Sequence, residues 1–146
     1  MGKRRRAREI ALQFLYQYDS QRETRLEDSD IKQQINLFWL AKDASVNEDV
    51  KDFATVLITG SCENMEGIDQ IIKRYSKNWR LSRMPTIDRN ILRMAIYELA
   101  YLRNIPPPVT INEAVELAKK FGTEESGSFI NGILDRIRIA LERQEL

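Results

Sequence analysis

"RNILRMAIYELAYL", residues 89–102, places apolar side chains on most sides of a helical wheel. A helix that is apolar nearly all round must be enclosed by other elements, so this stretch predicts the central helix of a bundle. Glu98 falls within it. A carboxylate buried there needs a donor, and an arginine or a tyrosine is the expected partner. The Met and Tyr side chains between 94 and 101 read as core filler rather than as a ligand pocket.

Upstream, "WRLSRMPTIDRN" (79–90) is a connector. Pro85 disfavours an α conformation at Met84, so a new helix starts nearby. Downstream, "NIPPPVT" (104–110) reads as an extended link, and Thr110-Ile111-Asn112-Glu113 as a capping box. Ile111, Ala114, Val115 and Ala118 share a face of the helix that follows, Glu116 is spaced to pair with Lys120, and Gly122 ends it. "TEES" (123–126) leads into a last helix carrying Ile130, Ile133, Leu134, Ile137 and Leu141. Gly132 inside it costs roughly 1 kcal/mol against alanine, which implies close helix packing.

The first half of the chain has the same period. Ala7, Ile10, Ala11, Phe14, Leu15 and Tyr18 follow helical spacing, polar residues 19–27 predict a loop, and 28–42 a second helix with Ile31, Ile35, Phe38 and Trp39 on one side. Ser45-Val46-Asn47-Glu48 has capping-box spacing ahead of Val50, Phe53, Ala54, Leu57 and Ile58. Gly60 weakens that helix late, and Gly67 starts or interrupts the next, which carries Ile68, Ile71, Ile72 and Tyr75. The fold class is all-α, a bundle of about seven helices with no convincing strand.

Composition agrees. The chain has 146 residues, 42% of them hydrophobic, with only 6 Gly and 4 Pro, which suits a helical domain with a packed core. The net charge of +1 conceals an asymmetry. The first eight residues hold five of the 23 basic side chains and no acidic one, leaving 18 basic against 22 acidic in the remainder. Such an end implies an anionic partner. Histidine is absent and Cys62 is the single cysteine, so an internal disulfide, a Cys/His zinc site and a His-based triad are excluded. No apolar run is long enough to span a bilayer. Glu9, Gln13, Gln17 and Asp19 interrupt what would be the apolar region of a signal peptide, so the N-terminus reads as mature protein in the cytoplasm.

Catalytic patterns fail one by one. "GSFING" (127–132) has the glycines of a phosphate loop, but Ile133-Leu134 stands where Lys-Ser/Thr should follow, and no G-x-G-x-x-G occurs. Glu124 and Glu125 are adjacent, so on a helix they diverge by roughly 100° and serve better as helix-start charges. The chain is not read as an enzyme, with no catalytic residue, no metal and no cofactor.

The basic end is more informative. Lys3, Arg4, Arg5, Arg6 and Arg8 open the first helix, and Tyr16 falls opposite its apolar stripe, in line with Arg5. Arginines grip phosphates bidentately and an exposed ring stacks on an unpaired base, a pairing that suits single-stranded nucleic acid. A membrane-lying helix would keep its aromatics on the apolar face, so no membrane partner is expected.

Three stretches, "RRRAREIALQFLYQ" (4–17), "DRNILRMAIYEL" (88–99) and "VTINEAVELAKKFGTEESGSFINGILD" (109–135), cover over a third of the chain. Through them it resembles the NusB family of bacterial transcription antitermination factors. The resemblance implies a NusB-like domain over 1–146, made of two helical subdomains, 1–77 and 78–146. It also implies binding of boxA RNA together with the ribosomal protein NusE. The pair would join an antitermination complex on RNA polymerase that reads through terminators in ribosomal RNA operons. The same fold occurs in some ribosomal RNA cytosine methyltransferases, whose long cofactor-binding domain this chain lacks. A homodimer covering the RNA face also fits the family.

Residue by residue, Arg4, Arg5, Arg6 and Arg8 match the family's arginine-rich RNA-binding segment and Tyr16 its base-contacting tyrosine. Glu125 matches an acidic position beside the RNA and Phe129 an RNA-facing phenylalanine, although Phe129 lies about 100° from the centre of its helix's apolar stripe. Polar groups near Glu125 and Asn131 are expected to read base edges. Asp88 matches an acidic position at the NusE interface that is often glutamate. "LFWLAKDASVNED" (37–49) and the terminal "RQEL" match no motif. The rival reading is a non-catalytic helical scaffold for proteins whose RNA affinity is incidental.

Overall fold

The computed structural model describes residues 2–21, 31–42, 45–77 and 80–146. They form seven helices: α1 (Lys3–Ser20), α2 (Ile31–Ala41), α3 (Glu48–Glu63), α4 (Met65–Tyr75), α5 (Thr86–Tyr101), α6 (Pro107–Phe121) and α7 (Ser126–Glu142). A single 3-10 turn, Leu81–Arg83, precedes α5, and there is no strand among the described residues. The chain divides into two compact units, Met1–Glu63 and Asn64–Leu146.

In the first unit α1 and α2 both pack on α3. Ala7, Ile10, Val50 and Ala54 are buried together, with Phe38, Trp39, Val46 and Phe53 packed against them. Phe38 meets the Phe14 ring edge-on at 5.2 Å, and the indole N–H of Trp39 donates to Thr55 Oγ1 at 3.1 Å. The cap of α3 is Asn47, whose side chain accepts from the Asp49 amide at 2.8 Å. The predicted Ser45–Glu48 box therefore starts two residues early. Gly60 is buried and α3 continues past it to Glu63. α1 likewise continues through a buried Asp19 to Ser20, and the rest of the predicted 19–27 loop, like the first residues of the predicted 28–42 helix, lies outside the described residues apart from Gln21.

In the second unit α6 packs on α7, both pack on α5, and α4 lies against α5 and α7. Ile91, Leu92, Met94, Ala95, Ile96 and Leu99 of α5 are all buried, which is the enclosure its sequence demands. The buried Arg93 side chain forms a bidentate pair with Asp69 of α4, at 2.8 and 3.0 Å, and donates to Asn90 Oδ1 at 3.0 Å. That pair ties α4 to α5. It explains why the contacts divide the chain at Glu63/Asn64, whereas the family resemblance suggests 77/78.

α6 starts earlier than its sequence predicts. Pro107 and Pro108 occupy its first turn, where a fixed φ and a missing N–H are tolerated, so the extended link ends before them. Thr110 thus sits inside the helix and does not cap it. Its hydroxyl donates instead to Glu98 Oε1 at 3.1 Å, a donor of a type not expected for that carboxylate. On the outer face Glu116 pairs with Lys119 at 3.6 Å. Gly122 ends α6 as predicted, and a Cβ there would lie 2.5 Å from Ser126 Oγ and 2.8 Å from the Ala118 carbonyl oxygen. Gly132 is different: a Cβ would meet only Arg136 of its own helix, at 3.8 Å, so close packing against another helix does not account for it.

Candidate nucleic-acid interface

The first turn of α1 holds four cations, Lys3 to Arg6, and no acidic residue. Cations at a helix N-terminus oppose the macrodipole, so the arrangement costs the helix something. Phe53 of α3 sits beneath it. The Arg4 guanidinium lies 4.8 Å from the Phe53 ring centroid and that of Arg8 lies 5.5 Å away. Lys3 pairs with Asp49 at 3.0 Å, and Arg6 reaches Glu9 at 4.0 Å. Lys42 of the same unit contacts Gln13 Oε1. Its ammonium is held below the usual lysine range, first by burial and second by the charge of Arg6.

Arg4 and Arg6 are exposed and Arg5 is half-exposed, as a phosphate-gripping edge requires. Arg8 corrects the expectation, being only 2% exposed and folded over Phe53. A signal for this exists in the sequence, because Arg8 and Leu15 are seven residues apart and so share a helix face. Phe53 itself reads as core. Its role as a platform for two guanidiniums arises from the α1–α3 packing, which no local pattern encodes. Tyr16 is 42% exposed, on the solvent side as the wheel predicts.

The second unit presents the other set. Glu124 and Glu125 are exposed ahead of α7, where a negative charge complements the helix dipole. The Glu125 carbonyl accepts from the Phe129 amide at 3.1 Å. Phe129 is half-buried, a boundary residue as its wheel position implies, and Asn131 is exposed.

Asp88, in the first turn of α5, does not lie on the surface as an interface residue would: it is 4% exposed. Oδ1 of its carboxylate is buried with no hydrogen-bond donor among the described residues. Burial pushes this carboxyl above its ordinary value, and the Ser126 hydrogen bond opposes that shift. Ser126, which reading the sequence for helix starts passes over, holds the turn ahead of α7: its Oγ accepts from the Thr123 amide at 2.9 Å, and its own amide donates to the Thr123 carbonyl at 3.1 Å.

Among the described residues no group of three or more His, Cys, Asp or Glu side chains could hold a metal ion, and no helix is long and apolar enough to cross a membrane.

A model of the NusB family matches residues 5–138. The transcription antitermination protein NusB of Thermodesulfovibrio yellowstonii is 50% identical over 137 residues, covering 92% of this chain and 91% of the relative. Among solved structures, T. maritima NusB superposes with a TM-score of 0.82 at 40% identity, covering 98% of this chain and 97% of that one. A chain from a complex of the antitermination factors NusB and NusE with double-stranded RNA superposes with a TM-score of 0.78 at 28% identity, covering 96% of this chain and 98% of its own. Similarity over nearly the whole length, in sequence and in fold, leaves one conclusion: the chain belongs to the NusB family.

Proposed function

We propose that the protein is a non-catalytic RNA-binding adaptor in transcription antitermination. With NusE it binds boxA RNA and helps RNA polymerase read through terminators in ribosomal RNA operons. The observation that carries this reading is Tyr16, an aromatic ring exposed on α1 in line with Arg5 and below a cationic first turn. The relative solved with NusE and RNA supports the choice of partners.

In this mechanism Arg4, Arg5 and Arg6 hold the RNA backbone, and Tyr16 stacks on a splayed base. Stacking of that kind contributes about 1–3 kcal/mol per base by alanine substitution. Arg8 acts from below, filling the space over Phe53. In the second unit Phe129 packs on a base, Asn131 reads an edge, and Glu125 repels strands that do not fit. Phosphate contacts add a salt-dependent term with a slope of about 0.7 per neutralised phosphate on a single strand. So small a cluster of cations binds modestly alone, and a preformed pair with NusE binds more tightly because part of the ordering is already done.

The test is fluorescence anisotropy with labelled single-stranded boxA RNA, a scrambled strand and a boxA duplex, with and without NusE, over a salt series. Preference for the boxA strand, tightening by NusE and loss of affinity in Tyr16→Ala at every salt concentration support the reading. Equal binding of all three RNAs, with Tyr16→Ala unchanged, would reduce the basic turn to a general polyanion grip and favour the protein-scaffold alternative.

A further inference from the structure

The second unit carries a concentration of positive charge of its own. Residues 73–90 hold six basic side chains, Lys73, Arg74, Lys77, Arg80, Arg83 and Arg89, against one acid, Asp88. Asp88 is buried, so it does not neutralise the surface. The fold gathers these residues. The 3-10 turn Leu81–Arg83 packs on α4, and the Arg89 guanidinium donates to the Leu81 carbonyl at 3.2 Å. From α7 the Arg136 guanidinium donates to the Tyr75 carbonyl, through Nε at 3.3 Å and Nη2 at 3.2 Å. Arg74 lies over the ring of the same tyrosine, 5.5 Å from its centroid. Apart from the half-buried Arg89, all of these cations are exposed, Arg136 included.

Helix chemistry accounts for part of this cluster. Lys73 and Arg74 stand in the last turn of α4, where cations complement the dipole, and Arg136 satisfies a carbonyl that the helix end leaves open. The dipole effect fades beyond that turn, so it does not reach Lys77, Arg80 or Arg83. Those three have no carboxylate partner among the described residues, whereas Arg93, Lys119 and Arg138 of the same unit each have one. Lys77 also has a φ of +46°, the left-handed conformation usually taken by glycine or asparagine just past a helix end. A cation held there against the preference of its backbone is better explained by a ligand than by the helix.

α7 connects the cluster to the residues that face bases. Phe129 and Arg136 are seven residues apart, so they share a helix face and lie about 10 Å apart along its axis. Gly132 falls between them. A Cβ there would meet only Arg136 Nη1, at 3.8 Å, so the guanidinium lies back along the helix toward the glycine. A longer side chain at 132 would occupy that space. The glycine that helix packing does not explain thus keeps a path open from Phe129 to Arg136. We infer that the end of α4, the 3-10 turn and Arg136 form a second phosphate-binding surface, which holds the backbone of the single RNA strand where it runs on from the bases at Phe129 and Asn131. This rests on the RNA-adaptor function proposed above. It assigns the surface to RNA that flanks boxA, held by charge and therefore without regard to sequence.

The test compares boxA RNA alone with boxA RNA lengthened by a uridine tract at one end or the other, by fluorescence anisotropy over a salt series, with and without NusE. One of the lengthened strands should bind more tightly than boxA alone, with a salt slope steeper by about 0.7 for each phosphate taken up. The same tract built with uncharged methylphosphonate linkages should give no gain. The triple variant Arg74→Gln/Lys77→Gln/Arg83→Gln removes three exposed charges. It should return the lengthened strand to the affinity of boxA alone and leave boxA alone unchanged. A gain that survives in the triple variant overturns the inference, as does an equal gain from the methylphosphonate tract. Equal weakening of boxA and the lengthened strands also overturns it, because that is a general field effect. So does a variant that loses only NusE, which gives the surface to the protein partner. Should the triple variant not fold, the methylphosphonate comparison on the unaltered chain decides. A chain that binds boxA and ignores both tracts refutes this surface and leaves the adaptor function standing. One that does not tell boxA from a scrambled strand overturns the adaptor function itself, before any tract is tried.

Discussion

Two helices of this chain begin with opposite charge. α1 opens on Lys3, Arg4, Arg5 and Arg6 with no acid in its first turn, whereas α7 follows directly on Glu124 and Glu125. The partial positive charge of a helix N-terminus favours the second arrangement and opposes the first. The acids ahead of α7 thus have a sufficient cause within the helix. The arginines of α1 do not, and a group that works against its own local field is better explained by something outside the protein. Gly2, ahead of α1, and Gly122, which ends α6 and leads into the turn before α7, make the same contrast. A Cβ on Gly2 meets nothing within 4 Å, while one on Gly122 collides with Ser126. The turn ahead of α7 leaves no room for a side chain at Gly122, whereas the residue ahead of α1, Gly2, has open space around it.

The largest expected break in this comparison is Gly122→Ala. Overpacking of a filled site costs about 1–3 kcal/mol, so urea unfolding should show a clear loss, while Gly2→Ala changes nothing measurable. Comparable in size but opposite in kind is Tyr16→Ala, which should cost about 1–3 kcal/mol of RNA affinity and leave the unfolding midpoint in place. Arg5→Gln should be smaller and of mixed sign. It relieves the helix dipole by about 0.3–1 kcal/mol, raising thermal stability, and lowers the salt slope of RNA binding by about 0.7. Glu125→Gln should do the reverse at α7, costing about 0.3–1 kcal/mol of stability while raising affinity for a scrambled strand.

The smallest effect is a slope with pH. The Asp88 carboxyl is raised above its ordinary value of 3.8 by burial, so the folded state holds the proton more tightly than the unfolded chain. Its contribution to stability is complete below the unfolded value and is lost as pH rises through the folded one. Asp88→Asn cannot titrate, so the stability of wild type relative to Asp88→Asn should fall across that window. A flat difference would mean that Asp88 is as well solvated in the folded protein as in the unfolded chain.

The sequence is most informative where one period governs a long segment. The helical spacing of α1, α5 and α7, the end of α6 at Gly122 and the outward face of Tyr16 all follow from it. It is least informative where partners lie far apart in the chain. Thr110 looks like a cap because its spacing to Glu113 is right, but its hydroxyl is taken by Glu98, twelve residues away. The three prolines look like an extended link because each resists a helix interior, yet the first turn of a helix accepts the last two, Pro107 and Pro108. Arg8 looks like one more phosphate ligand until Phe53 arrives from α3. At the candidate site the exposed residues are therefore legible from local pattern, and the residues that hold them, Phe53 and Ser126, are not.

The Arg93–Asp69 pair has a consequence for where this chain can be divided. A cut after residue 77 would keep the guanidinium in the core of α5 and remove its carboxylate along with α4. Breaking a buried ion pair in this way strands a charge, which is far worse than losing a surface contact. A cut at Asn64 leaves the pair whole. Recombination between relatives, or a split made to attach a label or a second protein, should thus succeed in the short step between α3 and α4 and fail between α4 and α5. The seam of the molecule is set by a counter-ion and not by the length of a linker.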